Sequence, residues 1–141
     1  MKTKEIIIGI ILIIIASIAI IQTTSIINKE NINKNNKQLI NITIKIEDQE
    51  KGTSLIYHNT IENNSRLIDL LEKIATIKYI QYPQGRFITC INNKCQNKHY
   101  SWIYLVNGKA PMVSVDNYIL KEEAQIEFIY IKNSEAMKYF E

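Results

Sequence analysis

The stretch Trp102-Ile103-Tyr104-Leu105-Val106-Asn107-Gly108 constrains this chain more than any other. Large apolar residues follow one another and then meet Asn-Gly, the dipeptide that best tolerates the two positive φ angles of a tight hairpin turn. Trp102, Tyr104 and Val106 share one face of the strand, Ile103 and Leu105 the other, so at least one of the two sets must be core. Ile103 and Leu105 suit a side covered by a helix.

Isoleucine is so common, 31 of 141 residues, that one Ile carries little information. Spacing carries more. Ile40, Ile42, Ile44 and Ile46 alternate with Asn41, Thr43 and Lys45, the period of a strand buried on one face. A turn over Glu47–Thr53, with Gly52, lets Ser54–Ile61 pair back as a second strand. Leu67, Leu70, Leu71 and Ile74 then recur at i, i+3, i+4 and i+7 behind the capping side chains of Asn63-Asn64-Ser65, which predicts a helix over about 65–76. Lys78–Tyr82 and Arg86–Ile91 read as strands broken by Pro83-Gln84-Gly85, and Tyr100–Val106 as the next. The chain is expected to return from Asn107-Gly108 through Lys109 to Val115, with Gln125–Ile131 as the last strand and Asn133–Glu141 as a loosely held tail. Two strands, a helix whose apolar stripe needs a sheet, then more strands predict an α+β domain: a β-grasp-like mixed sheet with one packed helix.

The N-terminus is different in kind. Ile6–Ile21 is an unbroken run of small or apolar residues behind Lys2 and Lys4, and with the weakly polar extension to Ile27 it is long enough to cross a hydrocarbon layer about 30 Å thick as a helix. The expectation is an N-terminal transmembrane anchor over 1–27, with the lysines cytoplasmic and the following domain extracytoplasmic. Ser17-Ile18-Ala19 has the small-x-small form of a signal-peptidase site, which keeps cleavage as an alternative. Residues 28–38, rich in Asn and Lys, read as a polar tether, and 39–132 as the domain.

Outside the anchor, 15 Lys and Arg stand against 13 Asp and Glu, so 15 − 13 = +2. The two signs are interspersed, with no basic stripe carrying interleaved aromatics, so no nucleic-acid partner is indicated. Four scattered glycines make no phosphate loop, and His58 and His99 have no nucleophile near them in sequence. No enzyme is expected, because a nucleophile, a base and an orienting group cannot be assembled. Asn41-Ile42-Thr43 and Asn63-Asn64-Ser65 are glycosylation sequons of a kind that Asn-rich chains produce by chance.

Cys90 and Cys95 bracket Ile91-Asn92-Asn93-Lys94, and three states compete for them. A disulfide suits a small exported domain and is favoured; a metal site would add His99 as Cys-x4-Cys-x3-His but lacks a fourth ligand; free thiols would suit a cytoplasmic domain. No metal is assigned. Tyr100, Trp102 and Tyr104 are the candidate ligand-binding residues, as an aromatic platform for a planar or apolar ligand; the alternative is that Trp102 simply packs into the core.

Several motifs resemble the transcobalamin-like C-terminal domain family over about residues 39–132. They are the helix of the Ser65-Arg66-Leu67-Ile68-Asp69-Leu70-Leu71 kind, the Gly85 turn before a strand, and Ser101 to Lys109 with its aromatic strand and Asn-Gly. Val115-Asp116-Asn117-Tyr118-Ile119-Leu120 and the closing strand Ile126-Glu127-Phe128-Ile129-Tyr130 complete the likeness. The family usually carries Gly-Asp before its last strand, where this chain has Glu122-Glu123-Ala124, so that turn must close without glycine. The resemblance implies an exported module. It is the only ground for considering a corrinoid, since the large helical partner domain of animal transcobalamins is absent from this sequence. The expected function is thus a membrane-anchored, extracytoplasmic, non-catalytic module binding a small ligand or surface component. The alternative is a structural or assembly protein of the cell envelope that pairs through a sheet edge.

Overall fold

The computed structural model describes residues 38–140, and the expected anchor over 1–27 with nearly all of the tether lies outside them. Among the described residues no helix is long and apolar enough to cross a membrane.

Alternating isoleucines make β1 (Leu39–Asp48), which buries Ile40, Ile42, Ile44 and Ile46. It pairs antiparallel with β2 (Thr53–Glu62) in an unbroken register from Leu39↔Glu62 to Asp48↔Thr53. The Asp48 carboxylate closes the turn between them by accepting the Glu50 and Lys51 N–H groups at 3.1 and 3.2 Å. On its other side β1 runs parallel to β9 (Ala124–Lys132), and β9 pairs antiparallel with β7 (Tyr100–Val106), for a sheet order β2-β1-β9-β7. The fold is α+β, with a mixed sheet and few helices. The parallel pair in the middle of the sheet requires a crossover, which the chain between them provides.

That crossover starts with β3 (Ser65–Arg66) and α1 (Leu67–Ile74). Leu67, Ile68, Leu70 and Leu71 lie buried against the β1 isoleucines and Ile126, Phe128 and Tyr130 of β9, forming the main core. The helix is shorter than the expected 65–76. Ser65 and Arg66 are drawn into a ladder with β8 (Ile119–Leu120), the Ser65 hydroxyl donates to Glu62 O at 2.6 Å instead of capping, and Ala75 is already extended. A second sheet of β4 (Ile77–Tyr82), β5 (Gly85–Ile91) and β6 (Lys94–Cys95) follows.

Three expectations need correction. The Asn107-Gly108 turn forms, at φ 50° and 79°, but no strand returns over Lys109–Val115; a lone Val106↔Lys109 bridge is all that pairs. Pro111 has no N–H for a ladder, and the Tyr104 hydroxyl donates to Val113 O at 2.6 Å, holding that segment beside the Tyr104 ring. The long partner of β7 is instead β9. The tail is not loose, either: α2 (Asn133–Ala136) and a 3₁₀ turn at Met137–Tyr139 fold back, and Ala136 is buried with Leu105, Ile129 and Ile131 in a second apolar cluster. That cover reverses the assignment of faces. Trp102, with Tyr104 and Val106 packed beside it, faces the main core with α1, while Ile103 and Leu105 face the C-terminal turns.

Candidate functional site

The aromatic residues singled out from sequence are brought together, but largely to fill the interior. Trp102 is 6% exposed, its ring 5.2 Å from that of Tyr130, and its indole N–H donates to Lys94 O at 2.9 Å. Tyr100 stacks on Tyr130 at 5.3 Å. The Tyr130 hydroxyl donates to Cys95 O at 2.8 Å and accepts from the Asn97 amide at 2.9 Å, so this buried ring ties the sheet to the loop around Cys95. Tyr104 stacks on Phe128 and meets Tyr118 edge-on. Burial pushes its phenol well above the ordinary value of 10.0, so it stays a neutral donor to Val113 O. Trp102 is thus packed into the core, while Tyr100 and Tyr104 beside it are only partly buried.

Cys90 and Cys95 are joined in a disulfide across the β5–β6 pairing. Both sulfurs are therefore occupied, which sets aside the thiol and Cys-Cys-His99 alternatives. Lys94, the first residue of β6, bonds to Asp48 at 3.1 Å and also to Glu50, with its ammonium 4.5 Å from the Tyr130 ring centre. Its pKa is raised, first by the Glu50 hydrogen bond.

A different feature collects about half of the large hydrophobic side chains left exposed among the described residues. A cleft of ≈ 650 Å³ is lined by Tyr82 and Phe87 of the β4–β5 hairpin, Met112 and Val113 of the loop after the Asn-Gly turn, and Met137 and Phe140 of the C-terminal turns. All six are among the large hydrophobic residues left exposed, Met112 at 93%. Its volume is in the range of small-molecule and cofactor sites, about 300–1,000 Å³. The successive residues Ser101, Trp102, Ile103 and Tyr104 also line it. Because neighbours in a strand point to opposite faces, one cleft can touch four in a row only along the strand's edge. β7 is indeed the outermost strand of its sheet.

The cleft wall is locked by close approach of two segments. Gly85, at φ +127°, sits where a Cβ would come within 2.0 Å of the Ser114 hydroxyl and 2.6 Å of the Asp116 carboxylate. Asp116 accepts the Arg86 N–H at 3.0 Å, and the Asn117 amide donates to Gln84 O at 3.0 Å. Partial burial pushes the Asp116 carboxyl upward, but the Arg86 N–H and neighbouring donors outweigh it and hold the pKa below the ordinary value of 3.8. Arg86 also reaches Glu72 at 2.7 Å, so the one cation in the lining is already paired. Sequence reasoning missed the cleft because its walls come from three distant segments; the signal available was the apolar Pro111-Met112-Val113 where a polar loop is usual.

Residues 64–132 match the family described as "Domain of unknown function (DUF4430)". Among solved structures, haptocorrin in complex with Cbi is similar at a TM-score of 0.59 and 19% identity, over 68% of this chain and 26% of haptocorrin. This chain therefore spans about a quarter of that protein. A "putative metal binding protein" from Ruminococcus gnavus ATCC 29149 is similar at a TM-score of 0.58 and 16% identity, over 67% of this chain and 98% of that one. No curated protein matches the chain. In fold the domain is transcobalamin-like, as its motifs led us to expect.

Proposed function

We propose that this chain is a non-catalytic binding module, held outside the cytoplasm by its N-terminal apolar segment, and that it takes a small ligand or surface component in the cleft along β7. The observation that carries this reading is the gathering of six exposed apolar side chains, from three separate segments, around one cleft. Exposed apolar side chains that are clustered around one concavity, rather than scattered singly, mark an interaction site. The fold neighbours, one of them crystallised with Cbi and the other described as metal binding, lend support to a binding role rather than an enzymatic one.

Trp102 is the single tryptophan and lines the cleft, so its emission is a built-in reporter. Full-length chain in detergent micelles is titrated with cobinamide, oligosaccharides and short peptides. A saturable change with at least one of them, abolished by Phe87→Ser with Met112→Ser, is the expected result. No response to any class, by emission and by calorimetry, overturns the reading.

One observation favours a second reading, assembly with another envelope protein through a sheet edge. The outer edge of β2 is ten residues long, runs without a bulge and carries no Lys, Arg or Pro, while Leu55 and Ile56 are exposed on it. Edges usually carry such guards against pairing. If assembly uses this edge, Ile56→Lys abolishes co-purification of the partner and leaves the cleft's ligand response intact.

A further inference from the structure

The cleft floor offers more than apolar contact. In an antiparallel pair, residues alternately point both backbone groups at the partner strand and away from it. Tyr100 and Val106 point away from β9: Tyr100 exchanges bonds with Asn97 at 2.9 and 3.0 Å, and Val106 with Lys109 at 2.8 and 3.1 Å. By the same alternation, Trp102 and Tyr104 also turn their N–H and C=O outward, toward the cleft. The partner register agrees, because Tyr130, opposite Trp102, gives its C=O to Gln49 N–H on the β1 side. The alternation leaves these four groups of Trp102 and Tyr104 unbonded to β9, the one strand beside β7, and among the described residues no turn or loop backbone bond reaches them. The edge is thus closed by the chain itself at both ends and open over two outward-facing residues.

We propose that the occupant of the cleft is an extended, uncharged polypeptide segment of a partner protein, which adds to β7 as a short strand. This deepens the binding reading above and rests on it. Two outward N–H donors and two outward C=O acceptors match the backbone of an extended chain, whatever its sequence. The walls then select side chains: Tyr82, Phe87, Met112, Val113, Met137 and Phe140, from three segments around the strand, receive apolar groups. With Arg86 already paired to Glu72, a charged segment gains nothing there. A planar ligand fits these facts less well, since the Trp102 and Tyr104 rings are engaged with Tyr130, Phe128 and Tyr118, and what β7 presents is its backbone.

The test uses full-length chain in micelles and a blocked pentapeptide, acetyl-Val-Thr-Val-Thr-Val-amide, beside an analogue N-methylated at its two threonines and another N-methylated at its first, third and fifth residues. Together the analogues block either edge of the peptide strand. The expected result is saturable binding that slows hydrogen exchange at the Trp102 and Tyr104 amides, with one of the two analogues binding about tenfold more weakly or worse. Phe140→Ser is expected to weaken the peptide severalfold. Equal binding of peptide and both analogues, or binding without protection of those two amides, overturns strand addition while leaving the cleft as an apolar site. A response to cobinamide or oligosaccharide with none to peptide overturns the peptide alone; silence from every probe overturns the binding reading as well. Protection of the two amides that rises with protein concentration, without peptide, makes a second copy of the chain the occupant and also overturns the proposal.

Discussion

Single residues decide whether the cleft wall exists. Gly85→Ala is expected to cost about 2 kcal/mol or more in urea unfolding, since the new Cβ meets both a left-handed backbone and the Ser114 side chain. Gly52→Ala provides the contrast: its φ is +66° but nothing lies within 4 Å, so only the conformational cost of about 1 kcal/mol should appear. Asp116 gives the wall a pH dependence. Its folded pKa is below the unfolded one, so its contribution is complete above the ordinary value of 3.8 and is lost as the pH falls through the lowered folded value. Urea midpoints measured from neutral pH downward should fall more steeply in the native protein than in Asp116→Asn, which keeps an acceptor for Arg86 N–H but does not titrate. Gly85 was legible in sequence as a turn residue. That its missing side chain makes room for Ser114 was not, because those residues are distant in the chain and meet only in the folded state.

At the level of elements, the β5–β6 disulfide loop and the C-terminal turns do structural tasks that the alternation of apolar residues does not announce. Cys90→Ser with Cys95→Ser should lower stability by about 2 kcal/mol, the loop-closure value for so short a ring. Hydrogen exchange should speed up in residues 91–95 first, although the Trp102 indole still holds Lys94 O. Ala136→Asp should cost about 2–4 kcal/mol, because it places an unpaired charge on the apolar cluster of Leu105, Ile129 and Ile131; binding of an apolar dye should rise with it. The β1 strand and the α1 helix were plain in sequence because each buries a regularly spaced face. The helix start was misplaced because two residues with good capping chemistry next to them went into a ladder with Ile119 and Leu120, a partner some fifty residues away.

For the whole molecule, the anchor proposal predicts that the chain sediments with membranes, resists extraction by salt, and retains residues 1–19; a mature protein beginning at Ile20 would refute it. The α+β class and the likeness to transcobalamin domains were legible in the sequence itself, through local spacing and short motifs, which favoured a Cys90–Cys95 disulfide but left thiol and metal alternatives for the structure to decide. Only the tertiary structure decided which face of β7 is core, that the tail covers the other, and that Tyr82, Met112 and Phe140 stand around one cleft. The physical reason is the range of the interactions. Periodicity reports that a face is buried, but what buries it depends on a segment far along the chain, and a site assembled from an edge and three distant walls leaves no spacing to read.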